Sequence, residues 1–147
     1  MATETKTKTA GWSQAEKSAA QARVKELKAE AKRGADREAA LRDCLAAIAG
    51  MPSGDRELAQ QVHEIITKNA PHLQAKTWYG MPAYANDSGT VAWFKPSSKF
   101  KDHYSTLGFE KASKLDEGNF WPNAYAIVKL TPADEKQIAA IVKKAAS

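Results

Sequence analysis

Cysteine occurs once in this chain, at Cys44, so no disulfide can form within it and redox compartment plays no part in its stability. Long apolar runs are missing too. None approaches the roughly 20 residues that a bilayer-spanning helix needs. The opening MATETKTKTAGW carries no apolar stretch of the kind a secretory leader uses, so the chain reads as cytoplasmic and off the membrane. Only three histidines are present, His63, His72 and His103, far apart and without the paired short spacings of a structural zinc site. A glycine-rich phosphate loop, a nucleophile elbow and a metalloprotease helix motif are all lacking. With no visible nucleophile–base pair, an enzyme is the least supported class.

What is there fits one domain. The chain has 147 residues, 43% hydrophobic and 27% charged, enough to bury about two thirds of its unfolded surface. The net charge is +5, unevenly spread. Residues 1–37 hold nine Lys/Arg against five Asp/Glu, whereas residues 38–147 hold thirteen against twelve. The plain reading of the basic end is a solvated helix. The sharper one is attraction to nucleic acid or another acidic partner.

Residues 1–12 are Thr/Lys-rich and aperiodic, which predicts a disordered tail. Ser13-Gln14-Ala15-Glu16 spells a capping box, and a basic Ala/Lys/Glu helix follows within residues 13–35, ended by Gly34. A second helix is predicted from Asp36 to Ala49, with Leu41, Cys44, Leu45 and Ile48 at i, i+3, i+4 and i+7 on its buried face. Cys44 reads there as a small core hydrophobe, the alternative being a reactive thiol. A third helix spans Ser53 to Ala70, buried through Leu58, Val62, Ile65 and Ile66 and closed by Pro71.

From Leu73 the period changes to that of strands. Strands are expected over 75–79, 83–85, Thr90–Lys95 and Lys99–Leu107, with a short helix near Glu110–Lys114. The nearly uninterrupted apolar run Ala124–Leu130 predicts a central strand. Thr131-Pro132-Ala133-Asp134 then opens a last helix. Helices, then four to five strands joined by short turns, then a helix, make an α+β domain over residues 36–147: an antiparallel sheet with helices packed on it, preceded by an additional N-terminal helix.

The segment Lys76-Thr77-Trp78-Tyr79-Gly80-Met81-Pro82-Ala83-Tyr84 packs three aromatics, a glycine and a proline into nine residues. It reads as a strand that bends sharply and presents aromatics to both faces. Together with Trp93, Phe94, Phe100, Tyr104 and Trp121 these rings are the candidate wall of a pocket for a small organic ligand or a peptide, served by polar Lys99, His103 and Asn123. The bland alternative is that the rings are simply core. His103 alternates out of phase with Phe100 and Tyr104, which predicts exposure.

Trp78-Tyr79-Gly80-Met81-Pro82-Ala83-Tyr84, with Lys99-Phe100-Lys101-Asp102-His103, the run Ala124–Leu130 and the Thr131-Pro132 helix start, resembles the YdhG-like family of bacterial proteins, a domain of unknown function. The resemblance covers about residues 40–145. It implies a small α+β domain, and it implies a frataxin-like iron chaperone as an alternative function, in which oxygen ligands hold iron weakly. The candidates for that role are Glu57, Glu64, Asp116 and Glu117. A third alternative is an interaction domain that uses the basic N-terminal helix. The expected oligomeric state is monomer or homodimer.

Overall fold

A computed structural model describes residues 13–147; the tail expected over 1–12 lies outside the described residues. The elements run α1 (Gln14–Ala49), α2 (Ser53–Asn69), β1 (Gln74–Trp78), β2 (Met81–Asn86), β3 (Gly89–Lys95), a 3-10 turn at Ser98–Phe100, β4 (Ser105–Phe109), β5 (Ala124–Ile127) and α3 (Pro132–Ala145). The five strands form one sheet in sequential order, and every neighbouring pair is antiparallel. The fold is therefore α+β. Among the described residues no helix is long and apolar enough to cross a membrane.

The chain divides at Asp36/Arg37 into two compact units. In the first, the capping box closes as expected: Ser13 N–H donates to Glu16 Oε1 at 2.8 Å, and Glu16 N–H to Ser13 Oγ at 3.1 Å. Gly34 does not end this helix, because α1 continues to Ala49. A helical glycine costs only about 1 kcal/mol against alanine, and the flanking Ala, Lys, Arg and Glu are strong helix formers. Gly34 is also not among the positive-φ glycines, so it does not turn the chain. Of the stripe assigned to residues 41–48, Cys44 and Ile48 are buried, while Leu41 and Leu45 are exposed.

The second unit is built on one face of the sheet. Ala59, Val62 and Ile66 of α2 and Ile138 and Val142 of α3 join Cys44 and Ile48 in one core with Tyr84, Ala92, Phe94, Leu107, Phe109 and Ile127. Side chains of a strand alternate between faces, and register carries that alternation across the sheet. Ala75, Tyr84, Ala92 and Phe109 lie in one row, and Phe94, Leu107 and Tyr125 in the next. Burying each large apolar side chain of these rows contributes roughly 1.5–3 kcal/mol. Val91 is the extra residue of a bulge, since Tyr84 faces Ala92 while Ala85 faces Thr90. The bulge lets Val91 and Ala92 both join the core.

Three strand-region expectations are corrected. The 74–86 segment is not one bent strand but a hairpin, with β1 and β2 paired from Gln74↔Ala85 to Trp78↔Met81. The period-two run from Lys99 is interrupted: Ser98–Phe100 form a 3-10 turn, Lys101 takes φ +57°, and strand starts only at Ser105. The cause is remote in sequence. Asp55 of α2 accepts from Ser97 Oγ at 2.8 Å, from Ser98 N–H at 3.1 Å and from Ser98 Oγ, which gathers the chain into a turn. Finally, β5 is an edge strand of four residues, not a central one, and Ala124, Ala126 and Val128 are exposed. Its alanines are too small to need cover on both faces. The helix expected near Glu110–Lys114 is a single turn; Ser113 N–H reaches Glu110 O, but Lys114 N–H goes to Ala145 O at 2.8 Å.

Candidate functional site

The opposite face of the sheet carries the aromatic cluster. Its construction begins at the β1–β2 turn, where only Tyr79 and Gly80 lie between the paired Trp78 and Met81. Both take positive φ, +52° and +75°, the geometry of a two-residue turn that matches the strand twist. Glycine suits its place because it adopts φ +75° without the steric cost that a Cβ brings. Tyrosine does not suit its own: the left-handed region costs an L-residue about 1–2 kcal/mol. Its ring is 79% exposed, so burial does not offset that cost.

Trp78 and Trp93 stand on β1 and β3, the two strands that flank β2. Register places Trp78 beside Met81 and Trp93 beside Ala83, all on this outer face. The two indoles meet across β2 with centroids 6.3 Å apart, and Tyr79 lies 5.1 Å from Trp78. Met81 and Ala83 are 7% and 0% exposed yet belong to no part of the helix-packed core. The indoles above them account for that burial. Trp93 is seated by an absence: its β4 neighbour is Gly108, and a Cβ there would collide with Cε2, Cζ2 and Cη2 of the indole. Its Nε1–H donates to Glu110 Oε2 at 2.7 Å, which fixes the ring in its plane.

Lysines border these rings. Lys76, two residues before Trp78, and Lys95, two after Trp93, share the outer face by alternation. Lys95 Nζ stands 4.9 Å from the Phe100 centroid and 3.3 Å from Asp102 Oδ2. Lys99 Nζ lies 5.7 Å from the same ring and donates to Tyr79 O at 3.3 Å. These contacts link Trp93, Trp78, Tyr79, Lys99, Phe100 and Lys95 into one patch.

The remaining candidates lie elsewhere. Tyr84 is on the core face, buried, with its hydroxyl 2.8 Å from His63 Nδ1. Burial pushes its phenol far above the usual range. Pro82 is fully buried. Trp121 borders a separate groove of about 510 Å³ with Leu115, Phe120, Tyr125 and Ile141. His103 is exposed, as expected, and meets Tyr104 edge-on at 4.7 Å. The Asn123 carbonyl accepts from Phe109 N–H at 2.8 Å. One wall formed by all of these rings therefore does not exist. Trp78, Tyr79, Gly80, Met81, Trp93 and Lys99 come together; Pro82, Tyr84, His103, Trp121 and Asn123 do not join them.

Burial raises the Cys44 thiol pKa, which suits a core residue rather than a nucleophile. Burial would also raise the Asp55 carboxyl, but the hydrogen bonds from Ser98 and Ser97 outweigh it and hold the group below its ordinary value. Asp55, Lys95, Gly108 and Glu110 carry no site signal in the sequence, because their roles depend on register and long-range contacts; Phe100 does carry one, as an aromatic of the expected sheet.

The residues named for iron do not fit that ion. Glu57 and Glu64 are both exposed on α2, and Glu117 pairs with Lys144 at 2.8 Å. Among the described residues no three His, Cys, Asp or Glu side chains group as a metal site would require. No protein-family model matches the chain, and no curated protein or solved structure does.

Proposed function

We propose that the chain is a binding module that holds a planar ligand against the Trp78–Tyr79–Trp93–Phe100 face, with membership of the YdhG-like family resting on the string from Trp78 to Tyr84. The observation that carries this reading is the seating of Trp93. A glycine beneath the ring and a carboxylate at its Nε1–H keep one broad apolar surface in a fixed plane. Beside it stands an exposed tyrosine on a strained backbone. Strain of this kind persists where surrounding structure enforces it, and it concentrates at ligand sites. Rigid aromatic surfaces bind planar molecules at little cost in side-chain entropy. The residues that resemblance assigns to iron do not support the chaperone alternative.

The test is a titration with a panel of planar heteroaromatics, adenosine among them, followed through the indole N–H resonances. The chain has four tryptophans, so each indole can be assigned by single substitution. The reading expects at least one panel member to shift the Trp78 and Trp93 signals and to leave Trp121 in place. A panel that moves none of them, or moves Trp121 alone, refutes it.

A further inference from the structure

We propose that the ligand of this face is single-stranded nucleic acid, with bases stacked on the exposed rings and phosphates on the bordering lysines. The inference rests on the binding-module reading above and adds the chemical class.

Charge is the first argument. Lys76, Lys95 and Lys99 all border the aromatic patch. Of the two acids in contact with these groups, Asp102 offsets Lys95, and Glu110 accepts from the neutral indole of Trp93 and keeps its charge. Lys76 and Lys99 are the cations left to meet an anionic backbone that carries planar bases.

Shape is the second argument. The rings lie across three adjacent strands and the turn at their end, not around a hole. The groove lined by Trp121 includes none of these residues, and the groove lined by Asp55 takes in Gly80 and Lys99 at the border but neither Trp78 nor Trp93. A small-molecule site normally encloses most of its ligand. A spread of rings along a sheet instead suits a chain of successive bases, as in sheet-based readers of single strands. Trp78 and Trp93, centroids 6.3 Å apart and tilted by 54°, leave no room for a base between them. They form the floor, and the exposed rings of Tyr79 and Phe100 take the bases. A duplex keeps its bases stacked internally and offers no free face to these rings.

The third argument is the placement of Lys99. Its ammonium group reaches the carbonyl of Tyr79 while standing beside the Phe100 ring. A phosphate bound there would stand beside the Phe100 ring and the backbone of Tyr79, within reach of a strand whose bases stack on these rings.

The experiment is fluorescence anisotropy of a labelled twelve-residue oligo(dT), with a blunt duplex of the same length as the comparison. Adenosine is titrated in parallel by the indole N–H resonances. The single strand should bind saturably and at least tenfold more tightly than the duplex. The log–log salt slope should be about −1.4, as two phosphate contacts, at Lys76 and Lys99, imply. Tyr79→Asn removes a stacking ring while relieving backbone strain, so it stays folded. It should weaken binding about 5–100-fold. Lys76→Glu should weaken binding and cut the slope by about one unit. The pair Lys25→Glu and Lys28→Glu on α1 should leave both unchanged. If adenosine shifts Trp93 but the oligonucleotide does not bind, this inference fails and the planar-ligand reading stands. If neither binds, both fail. A duplex bound as tightly as the single strand overturns the inference, and so does binding that responds only to the α1 substitutions.

Discussion

Replacing Gly108 with alanine tests the central claim about the aromatic face. In an ordinary strand the change would be favourable by about 0.5–1 kcal/mol, because glycine loses more backbone freedom on folding. No backbone obstacle opposes it here, since Gly108 does not occupy the left-handed region. The obstacle is the indole of Trp93, three of whose atoms the new methyl would strike. The ring cannot slide aside without giving up its 2.7 Å bond to Glu110 or its neighbour Trp78 at 6.3 Å. Overpacking of this kind costs about 1–3 kcal/mol, and a hydrogen bond to a charged group is worth about 1.5–3. The expected net destabilisation is about 1–3 kcal/mol, a fall in Tm of about 3–10 °C for a chain of this size. Urea denaturation of a double-mutant cycle with Trp93→Val isolates the collision. In the Trp93→Val background Gly108→Ala should be neutral or stabilising, giving a coupling energy of about 1–3 kcal/mol. Equal costs in the two backgrounds would mean that the ring is not seated on Gly108, and the rigid-platform argument would fall with it.

Three further outcomes are expected. Tyr79→Asn should raise stability by about 0.5–1 kcal/mol in urea denaturation, because asparagine tolerates φ +52° better; a loss would show that the contact with Trp78 outweighs the backbone term. Gly34→Ala should slow amide exchange around residue 34 by the equivalent of about 1 kcal/mol, since a methyl there meets nothing within 4 Å; faster exchange would contradict a continuous α1. Asp55 has its folded pKa held below the ordinary value of about 3.9, so its contribution is full above that pH and is lost as pH falls through the folded pKa. The stability difference between wild type and Asp55→Asn should therefore shrink as pH falls from about 5 through the folded pKa. A difference that stays constant with pH would show that ionised Asp55 does not hold the Ser97–Ser98 turn.

The parts of the fold legible in the sequence were those governed by local rules. The span of α2 followed from Val62, Ile65 and Ile66 on one face and Pro71 beyond its end. The start of α3 followed from Thr131 and Pro132, and the capping box there forms with Asp134. The α+β class followed from the change of period at Leu73. What escaped was set by partners distant in sequence. Nothing in Lys99–Leu107 reveals that Asp55, more than forty positions earlier, will take two serine hydroxyls and one amide from the preceding turn. Nothing in the apolar run Ala124–Leu130 distinguishes an edge strand from a central one. The Trp-Tyr-Gly-Met string was legible as special, but its use of tyrosine in a left-handed turn hid the hairpin, whose usual signal is Asn-Gly or Asp-Gly.

That disguised turn also bears on why the face exists. A sequence chosen only for stability would put asparagine at 79, a β-branched residue at 108 and polar residues on the solvent side of β1 and β3. Here all three rules are broken within one patch: Tyr79 is strained and exposed, Gly108 is left bare beneath Trp93, and Trp78 and Trp93 occupy outward positions. Breaches scattered through a domain would suggest only a tolerant fold. Breaches gathered on one face, each of which positions an aromatic ring, imply that the rings themselves are what the sequence retains. Phe120 tests the alternative, being even more exposed than Tyr79 but lying in the groove with Trp121, where no strained backbone supports it. Exposure alone therefore does not mark the site. The conjunction of exposure, backbone strain and an enforced ring plane occurs at the Trp78–Tyr79–Trp93 face, and it is on this conjunction that the proposal of a binding face rests.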